Sequence, residues 1–344
     1  MPTFRTASVT GVLSERAGLQ RVTVVVADGG PGDRAYALTD LVGPVSVGDR
    51  VVVNTTAVEL GLGTGGWHVV HWNLSRTHWD HPGEDHVMKL RYTSLQCDVG
   101  TSELRHQDLL GDLRGTPVVA TLVHSQVGVV AAVVKSFRPD LRVAYVMTDG
   151  ACLPAALSDL VADLRSRSLL DTVVTAGHAF GGDLEAVTVA SGLSLAVEVA
   201  DADLVIVGMG PGVVGTGSRL GTTAIDAASA LDVASALGGE PVLAVRASSG
   251  DKRERHLGIS HHTRTVIELT HCRPWIARVP VEAMALRGVR LAETDVSAAV
   301  GVGELLDGLE LPIKTMGRDH RGDPVFFEAA AGSALVALDR LADS

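Results

Sequence analysis

Alternating apolar and polar positions dominate the first 88 residues of the chain. The alternating segments are rich in Val and Thr, which suit a half-buried pleated strand, and they lie at residues 6–12, 21–26, 34–38, 45–54 and 67–72. Turn residues separate them, as in 27–32, and residues 61–66 are interpreted as a hairpin connection, with a phosphate-cradling loop as the alternative. Short strands without a helical period between them predict a small N-terminal β-barrel or β-sandwich over residues 1–88.

A different pattern begins at residue 117, where continuous apolar runs alternate with segments of helical length. Apolar runs without alternation are typical of strands buried on both faces of a parallel sheet. Strands are predicted at residues 117–124, 142–147, 171–176, 203–208, 241–246 and 275–280. Helices are predicted at residues 126–137, 153–165, 184–199, 222–237 and about 327–341.

This order of strands and helices predicts the fold class of the second part of the chain. It indicates a Rossmann-like, doubly wound, mostly parallel α/β domain over residues 117–344, with a helical C-terminal region. Residues 89–116 are then a connecting segment between the two domains.

Polar residues and glycines follow the predicted strands of the α/β domain. Ligands of such sheets bind beyond the carboxyl ends of the strands. The residues at these positions are His124 after the first strand, Asp149 after the second, His178 and Asp183 after the third, residues 208–217 after the fourth, and Arg253 and Arg255 beyond the fifth. The predicted topology therefore brings them to one edge of the sheet.

The longest glycine-rich segment, GMGPGVVGTG at residues 208–217, is a candidate ligand-binding loop. Its candidate residues are Gly208, Gly210, Gly212, Gly215, Thr216 and Gly217. Backbone amides of such a loop, followed by the N-terminus of the predicted helix 222–237, would favour a phosphate or a carboxylate. The segment also matches the G-x-G-x-x-G dinucleotide pattern, but it follows the fourth strand, and Pro211 removes one donor. A purely structural crossover loop is the alternative.

His178, Asp183 and Asp149 are the candidates for acid–base chemistry. An imidazole titrates near neutral pH, and a carboxylate across Gly181 and Gly182 could orient it. In the alternative interpretation, Asp183 caps the predicted helix 184–199 and His178 bonds to the backbone.

The opposite wall of the site is expected to carry Arg253, Arg255 and His261, and His124 is a further candidate ligand-binding residue. Guanidinium groups bind phosphates and carboxylates, although a solvated turn is an equal alternative for the two arginines. Ser260 is a candidate N-cap for a helix over residues 261–270. A metal site that combines its histidines with His124, His178, His256 and Asp149 is a weaker interpretation, so no metal ligand is assigned.

The composition narrows the class of partner. The net charge of −11 disfavours nucleic acid, because phosphate-backbone binding requires a basic surface. The 3 cysteines lack the spacing of a disulfide scaffold or zinc finger, which favours a reducing cytoplasm. The start of the chain lacks the apolar core of a secretion signal, and no apolar run reaches the ~20 residues of a membrane span. The Ala- and Val-rich helices leave the formation of a homo-oligomer open.

Five segments of the chain resemble a bacterial family that is catalogued only as a domain of unknown function. They are MKLRYTSLQ (88–96), VAYVMTDGACLPAALSDLV (143–161), TAGHAFGGDLEAV (175–187), GMGPGVVGTG (208–217) and RERHLGISHHT (253–263). The resemblance extends over nearly the whole chain. It implies a free-standing bacterial protein, and it brings no established activity, substrate or catalytic residue.

The leading functional hypothesis is an enzyme that acts on or binds a small anionic metabolite at the strand edge, with its cofactor undetermined. The glycine loop would hold a phosphate or carboxylate, His178 would be the general acid or base, and Asp183 or Asp149 would orient it. One alternative is a non-catalytic ligand sensor or assembly protein that uses the β-domain for partner binding. A metal-dependent hydrolase is the third hypothesis.

Overall fold

The computed structural model describes residues 1–27, 32–62, 65–83 and 85–342. Residues 28–31 of the first predicted turn and residues 63 and 64 of the predicted hairpin connection lie outside the described residues. The chain divides into two compact units, Met1–Gly100 and Thr101–Ser344. This division falls within the segment that the sequence leaves between the two predicted domains.

A closed five-stranded barrel forms most of the first unit, and it is the barrel rather than the sandwich of the two predicted alternatives. Strands β1 to β5 are Phe4–Arg16, Leu19–Val26, Asp33–Ala37, Arg50–Asn54 and Trp67–Asn73. They pair in the order β1-β2-β3-β5-β4, and β4 pairs with β1 to close the sheet. Alternate valines such as Val22 and Val24 point inward because side chains of a strand alternate between its two faces.

Short elements complete the first unit. Two four-residue helices, α1 and α2, are Thr39–Val42 and Thr56–Glu59. A pair of antiparallel two-residue strands follows the barrel in the chain, with β6 at Met88–Lys89 and β7 at Cys97–Asp98.

The second unit is built on an eight-stranded sheet in which every pair is parallel, as the sequence predicts. Strands β8 to β17 are Pro117–Ala120, Val143–Thr148, Thr172–Ala176, Leu184–Ala186, Leu204–Met209, Glu240–Leu243, Ala247–Ser248, Gly258–Ile259, Trp275–Ile276 and Arg290–Leu291. The sheet order is β11-β10-β9-β12-β8-β13-β16-β17, while β14 and β15 form a separate antiparallel pair.

Helices cover both faces of this sheet. Helices α3 to α9 are His124–Phe137, Asp159–Ser166, Val189–Ser194, Asp226–Ala236, His261–Leu269, Val302–Gly308 and Pro324–Ala342. One apolar core contains Tyr145 with residues of α3 and α9, and the other contains Val146 with residues of α5, α6 and α7. Consecutive residues of β9 thus face opposite cores, which is the doubly wound arrangement. None of the helices in the described part of the chain has the length and apolar character of a membrane span.

The predicted helix 184–199 is wrong in its first part. Leu184–Ala186 instead adds β11 to the edge of the sheet beside β10. Gly182 permits this close return, since a Cβ there would lie 2.7 Å from the carbonyl oxygen of Val173. The helix α5 begins only at Val189, where the Thr188 side chain accepts a hydrogen bond from the amide of Ser191.

The predicted helix 153–165 also begins later than expected. A 3₁₀ turn spans Ala155–Leu157, and α4 starts at Asp159 after Ser158, whose hydroxyl caps the amide of Val161.

The order in which the chain adds strands to the sheet changes sides at β8. The chain runs from β8 outward to β9, β10 and β11, returns to insert β12 beside β8, and continues on the far side with β13. Such a reversal opens a crevice at the carboxyl ends of the strands concerned. The ends of β12, β8 and β13 are therefore the position at which this fold favours a ligand.

Candidate functional site

The glycine-rich loop leaves the carboxyl end of β12 and leads to a 3₁₀ turn, Thr223–Ile225, before α6. Gly212 and Gly217 have φ of +109° and +84°, a region that side chains disfavour. These two positions therefore require glycine for the path of the loop itself.

Part of the loop's hydrogen-bonding capacity is used internally. The amides of Val214 and Thr216 donate to later residues of the loop region at 3.1 and 2.8 Å, and the Thr216 hydroxyl also lies 3.2 Å from the carbonyl oxygen of Gly221. The N–H groups of Gly215 and Gly217 make no hydrogen bond within residues 101–342. These two amides are therefore available to a ligand.

Gly208 and Gly210 serve packing. A Cβ at Gly208 would collide with Thr121, and one at Gly210 would lie 2.5 Å from the terminal methyl group of Met147. Their small size lets the chain leave the sheet between neighbouring side chains.

The start of α6 is a poor place for an anion, contrary to the sequence-based expectation. The Thr222 hydroxyl already accepts the amide of Ala224, and Asp226 occupies the first turn. Burial, with a further contribution from Asp149, raises the pKa of Asp226. Two neighbouring carboxyl groups repel a phosphate or carboxylate at this point.

Arg246 lies just beyond β13, on the other side of β8 from the glycine loop. Its exposed fraction is 5%, and its Nη1 donates to Nδ1 of His262 at 2.9 Å. Burial and the neighbouring Arg253 lower the pKa of Arg246 to about 10, so it is charged at neutral pH. Within residues 101–342 no carboxylate forms an ion pair with this guanidinium, which leaves a buried charge without a direct counter-ion.

Arg253 is fixed beside Arg246 by an ion-pair network. Its Nε and Nη2 donate to the two oxygens of Asp251 at 2.9 and 2.7 Å. Arg318 bridges Asp251 and the fully buried Asp323 at 3.2 and 3.1 Å. The hydrogen bonds from the Arg253 guanidinium hold the pKa of Asp251 well below its usual range. Burial acts in the opposite direction, but its effect is smaller. Asp251 is therefore bonded to these two arginines, and it acts on Arg246 only without direct contact.

A cavity of about 140 Å³ joins the glycine loop to these arginines. We call it the arginine pocket, and its lining consists of Val213, Gly215, Gly217, Arg246, Arg253, Arg255, His256, His262 and Met316. Three guanidinium groups line it and no carboxylate does. It brings together four residues predicted from the sequence, namely Gly215, Gly217, Arg253 and Arg255.

Three imidazole rings cluster at the start of α7 beside the pocket. The rings of His256, His261 and His262 have centroids 4.3 to 4.9 Å apart. Burial and the charge of Arg246 lower the pKa of His256 to about 4 and that of His262 to about 3. Burial, followed by Arg255, also lowers the pKa of His261. The rings of His256 and His262 are therefore neutral at physiological pH.

The arginine contact fixes the tautomer of His262. A guanidinium only donates hydrogen bonds, so Nδ1 of His262 accepts and its proton resides on Nε2. His256 Nδ1 is bonded to the hydroxyl of Ser260 at 2.8 Å, and this hydroxyl also accepts the amide of His262, as the predicted N-cap.

The same cluster offers nitrogen atoms to a metal ion. One ring nitrogen from each histidine lies within 4.8 Å of the others. Metal binding through Nε2 of His262 would require a deprotonated nitrogen, however, and Arg246 holds the proton there. The three arginines of the pocket also repel a cation, so the donor set suits an anion better.

A larger cavity of about 500 Å³ shares Val213 and Met316 with the arginine pocket. Its apolar lining consists of Val123, Leu160, Pro211, Val213, Leu311, Pro312, Ile313 and Met316. The predicted residues Gly212 and His124 also line it, together with Ser125, Asp159, Asp163, Lys314 and Thr315.

His124 lies on this wall, but both of its ring nitrogens are used by the fold. Nδ1 is 3.2 Å from the carbonyl oxygen of Met209, which only accepts, so Nδ1 carries the proton. Nε2 then accepts from the Ser158 hydroxyl at 2.7 Å. Burial lowers the pKa of His124 to about 4. A neutral, fully bonded ring is a structural part of the wall.

The predicted catalytic group is not assembled as expected. Asp149 accepts the backbone amide of His178 at 3.0 Å, and neither residue lines the arginine pocket. Asp183 lies at the opposite, amino edge of the sheet, where its carboxylate accepts the amide of Val173 at 2.9 Å and pairs with Arg165 at 2.7 Å. Asp183 neither orients His178 nor caps a helix. The chain turns back at Gly182, so Asp183 lies beside the beginning of β10 and not at its carboxyl end.

Sequence reasoning missed the buried Arg246, the lining role of His256 and His262, and Met316. Arg246 carried a signal, since it is the one charged residue at the end of the apolar run 241–246. His256 and His262 occur with His261 in the segment 253–263, but the sequence of this segment does not show which of the three rings line the pocket. Met316 carried no signal.

The comparisons with known proteins give a family and no activity. No curated protein matches the chain, and no solved structure matches it. One family model matches residues 34–334, which is most of both units. The chain therefore belongs to the family described as "Protein of unknown function (DUF3866)".

Proposed function

We propose that the protein is an enzyme that acts on a small metabolite bearing a phosphate or a carboxylate, bound in the arginine pocket. The observation that carries this proposal is Arg246, a buried guanidinium without a carboxylate counter-ion among residues 101–342. A buried charge is costly unless it is paired, so the pocket is arranged for a counter-ion that arrives with the ligand.

The other groups of the pocket support the same class of ligand. Arg253 is held rigidly by Asp251, and Arg255 is exposed near Gly217 at the mouth. The unbonded amides of Gly215 and Gly217 add two neutral donors. Guanidinium and amide donors together are the usual recognition set for phosphate and carboxylate oxygens.

His256 and His262, rather than His178, are the candidate acid–base residues at this site, because they line the pocket. Both rings are neutral without a ligand, and a bound dianion would raise their pKa values by offsetting the charge of the arginines. Nε2–H of His262 is a hydrogen-bond donor to such an anion. His256 is the candidate general acid or base.

The partner of the protein in this proposal is a small metabolite, and its setting is the bacterial cytoplasm. Within the described residues no disulfide joins Cys97, Cys152 or Cys272, which fits a reducing compartment. The acidic net charge of −11 supports a metabolite rather than a nucleic acid.

A thermal-shift screen of phosphorylated and carboxylated metabolites tests the proposal. A ligand at 100 times its dissociation constant stabilises the fold by about 2.7 kcal/mol. The variant Arg246→Met should weaken a hit by about 30-fold or more, because removal of a buried charge partner typically costs 2 kcal/mol or more. Arg264→Met, which removes an exposed arginine from α7, is the matched control and should leave binding unchanged.

Two results would contradict the proposal. One is the absence of any stabilising anion in the screen. The other is a hit that Arg246→Met binds as tightly as the unaltered protein does. If Arg246→Met folds poorly, the variant Arg255→Met, which removes an exposed arginine, provides a second test. It should weaken the affinity for the same ligand about threefold.

A further inference from the structure

We infer that the ligand is an amphiphilic anion, whose charged head group binds in the arginine pocket and whose apolar body fills the adjoining 500 Å³ cavity. This inference rests on the proposed function, since it assigns the head group to that site. It adds the chemical character of the rest of the ligand. The arginine pocket of about 140 Å³ determines only the charged head group.

The two cavities are neighbours, because two residues line both of them. Val213 from the glycine loop and Met316 contribute to both. The larger cavity lies within the range of 300–1,000 Å³ that is typical of small-molecule sites. A ligand held by Arg246 therefore has an adjacent space into which its body extends.

Apolar side chains from separate segments meet in the larger cavity. Leu160 comes from α4, Leu311 and Ile313 follow α8, and Val213 comes from the glycine loop. The charged residues of its lining, which include Asp159, Asp163 and Lys314, have both signs and do not select a second strong charge on the ligand. This lining favours an aliphatic or aromatic body over a polar sugar.

Met316 is held over the junction of the cavities in a strained turn. Thr315 and Arg318 exchange backbone hydrogen bonds of 2.8 and 2.9 Å around Met316 and Gly317. The φ values of Met316 and Gly317 are +47° and +80°, as in the tight hairpin turn that prefers Asn-Gly. A methionine at the first position is disfavoured, and it is 46% exposed.

The turn is anchored to the residues that build the pocket. Arg318, which closes it, pairs with both Asp251 and Asp323. The strain at Met316 is thus maintained by the network that also fixes Arg253. Strained backbone positions of this kind occur at ligand clamps, and a flexible thioether adapts to an apolar surface. Met316 is accordingly a residue that contacts the apolar body.

A pair of matched probes separates head group from body. At an alkaline pH at which both are dianions, methylphosphonate and phenylphosphonate carry the same charged head, and neither contains a hydrolysable P–O–C ester. We expect both to bind to the full chain, and we expect phenylphosphonate to bind about tenfold or more tightly in a ³¹P NMR titration, because burial of the ring adds about 1.4 kcal/mol or more. A polar body, in 2-hydroxyethylphosphonate, should give no such gain.

The results distinguish this inference from the proposed function. If neither phosphonate binds, the proposed anion site itself is wrong. If methylphosphonate binds and phenylphosphonate binds no more tightly, the anion site stands and the apolar cavity is not part of the ligand site.

The variant Met316→Asn tests the clamp directly. Asn favours a positive φ, so the variant should raise the melting temperature by about 2 °C. It should also remove most of the preference for phenylphosphonate while leaving methylphosphonate binding unchanged. Met284→Asn is the matched control, because Met284 is equally 46% exposed and lines neither cavity.

A retained preference in Met316→Asn would overturn the role of Met316. A second variant, Ser125→Phe, narrows the larger cavity from the half-buried start of α3 and should also abolish the preference. If both variants keep the preference for the phenyl group, the apolar body does not bind in this cavity.

Discussion

Two groups of charged residues lie near the carboxyl ends of the strands, and they have opposite signs. Arg246, Arg253 and Arg255 line the arginine pocket beside the glycine loop. Asp149, after β9, lies close enough to Asp226 at the start of α6 to raise its pKa. The first group attracts an anion, and the second repels one.

The difference shows that one edge of a parallel sheet is not one site. The sequence places all of these residues after strands, but the strand order separates them. Insertion of β12 between β9 and β8 puts Asp149 and His178 on one side of β12, and the residues after β8 and β13 on the other. Function is therefore expected where the chain reverses, at the arginine pocket.

The largest expected effect concerns the neutral histidines of the arginine pocket. His256 has a pKa of about 4 in the folded protein and about 6.5 when unfolded, so the unfolded state binds the extra proton between these values. The free energy of unfolding should consequently fall as the pH is lowered from about 6.5 to 4, by up to about 3 kcal/mol for this residue. Denaturant titrations at several pH values would measure the slope.

The variant His256→Asn should make this acid dependence shallower by the contribution of His256, while His124 and His262, whose pKa values are also lowered, keep theirs. If the variant and the unaltered protein lose stability in parallel between pH 6.5 and 4, the ring of His256 is not held neutral by the pocket.

A smaller effect distinguishes the glycines of the two regions. Gly208 lines a small cavity with Asp226, and a Cβ there would collide with Thr121. Gly208→Ala should lower the free energy of unfolding by about 2 kcal/mol through overpacking. At Gly215, in the arginine pocket, the nearest atom to a Cβ is 3.5 Å away, so Gly215→Ala should change stability by less than about 0.5 kcal/mol.

Thermal unfolding of both variants checks this contrast. Equal destabilisation would contradict the conclusion that packing requires glycine at position 208 and not at position 215.

The smallest expected effect concerns the acidic group. Burial and Asp149 raise the pKa of Asp226, so its charged form is disfavoured in the fold. Asp226→Asn should therefore increase the free energy of unfolding slightly, by less than about 1 kcal/mol at pH 7. The gain should vanish at acidic pH, where Asp226 itself is protonated. A constant or negative difference across this pH range would show that the two carboxyl groups do not repel each other.

The fold was predictable where burial alone decides the structure. The apolar runs of β8, β9 and β12 are buried on both faces, and such runs indicate central strands. The segment 184–199 was not predictable in the same way. Its first residues are compatible with either a helix or a strand, and the outcome depends on the close return at Gly182, which is a tertiary contact.

The residues that line the arginine pocket were predictable only in part, and its anion chemistry stays a proposal. The glycine loop and the motif around residues 253–263 indicated an anion from residue types alone. Which loops meet depends on sheet order, so the placement of Asp149 and His178 outside the pocket could not be foreseen. The predicted position of Asp183 was wrong because residues 184–186 were assigned to a helix. They form β11, and the chain returns to the amino edge of the sheet just before this strand.

The central claim is that the arginine pocket is the anion site and the acidic group is not. A ³¹P NMR titration of inorganic phosphate into the unaltered protein, Arg246→Met and Asp226→Asn tests it most directly. We expect saturable binding to the unaltered protein and to Asp226→Asn, and a loss of about 30-fold or more in Arg246→Met. Equal phosphate binding by the unaltered protein and Arg246→Met, or a loss of binding confined to Asp226→Asn, would contradict it.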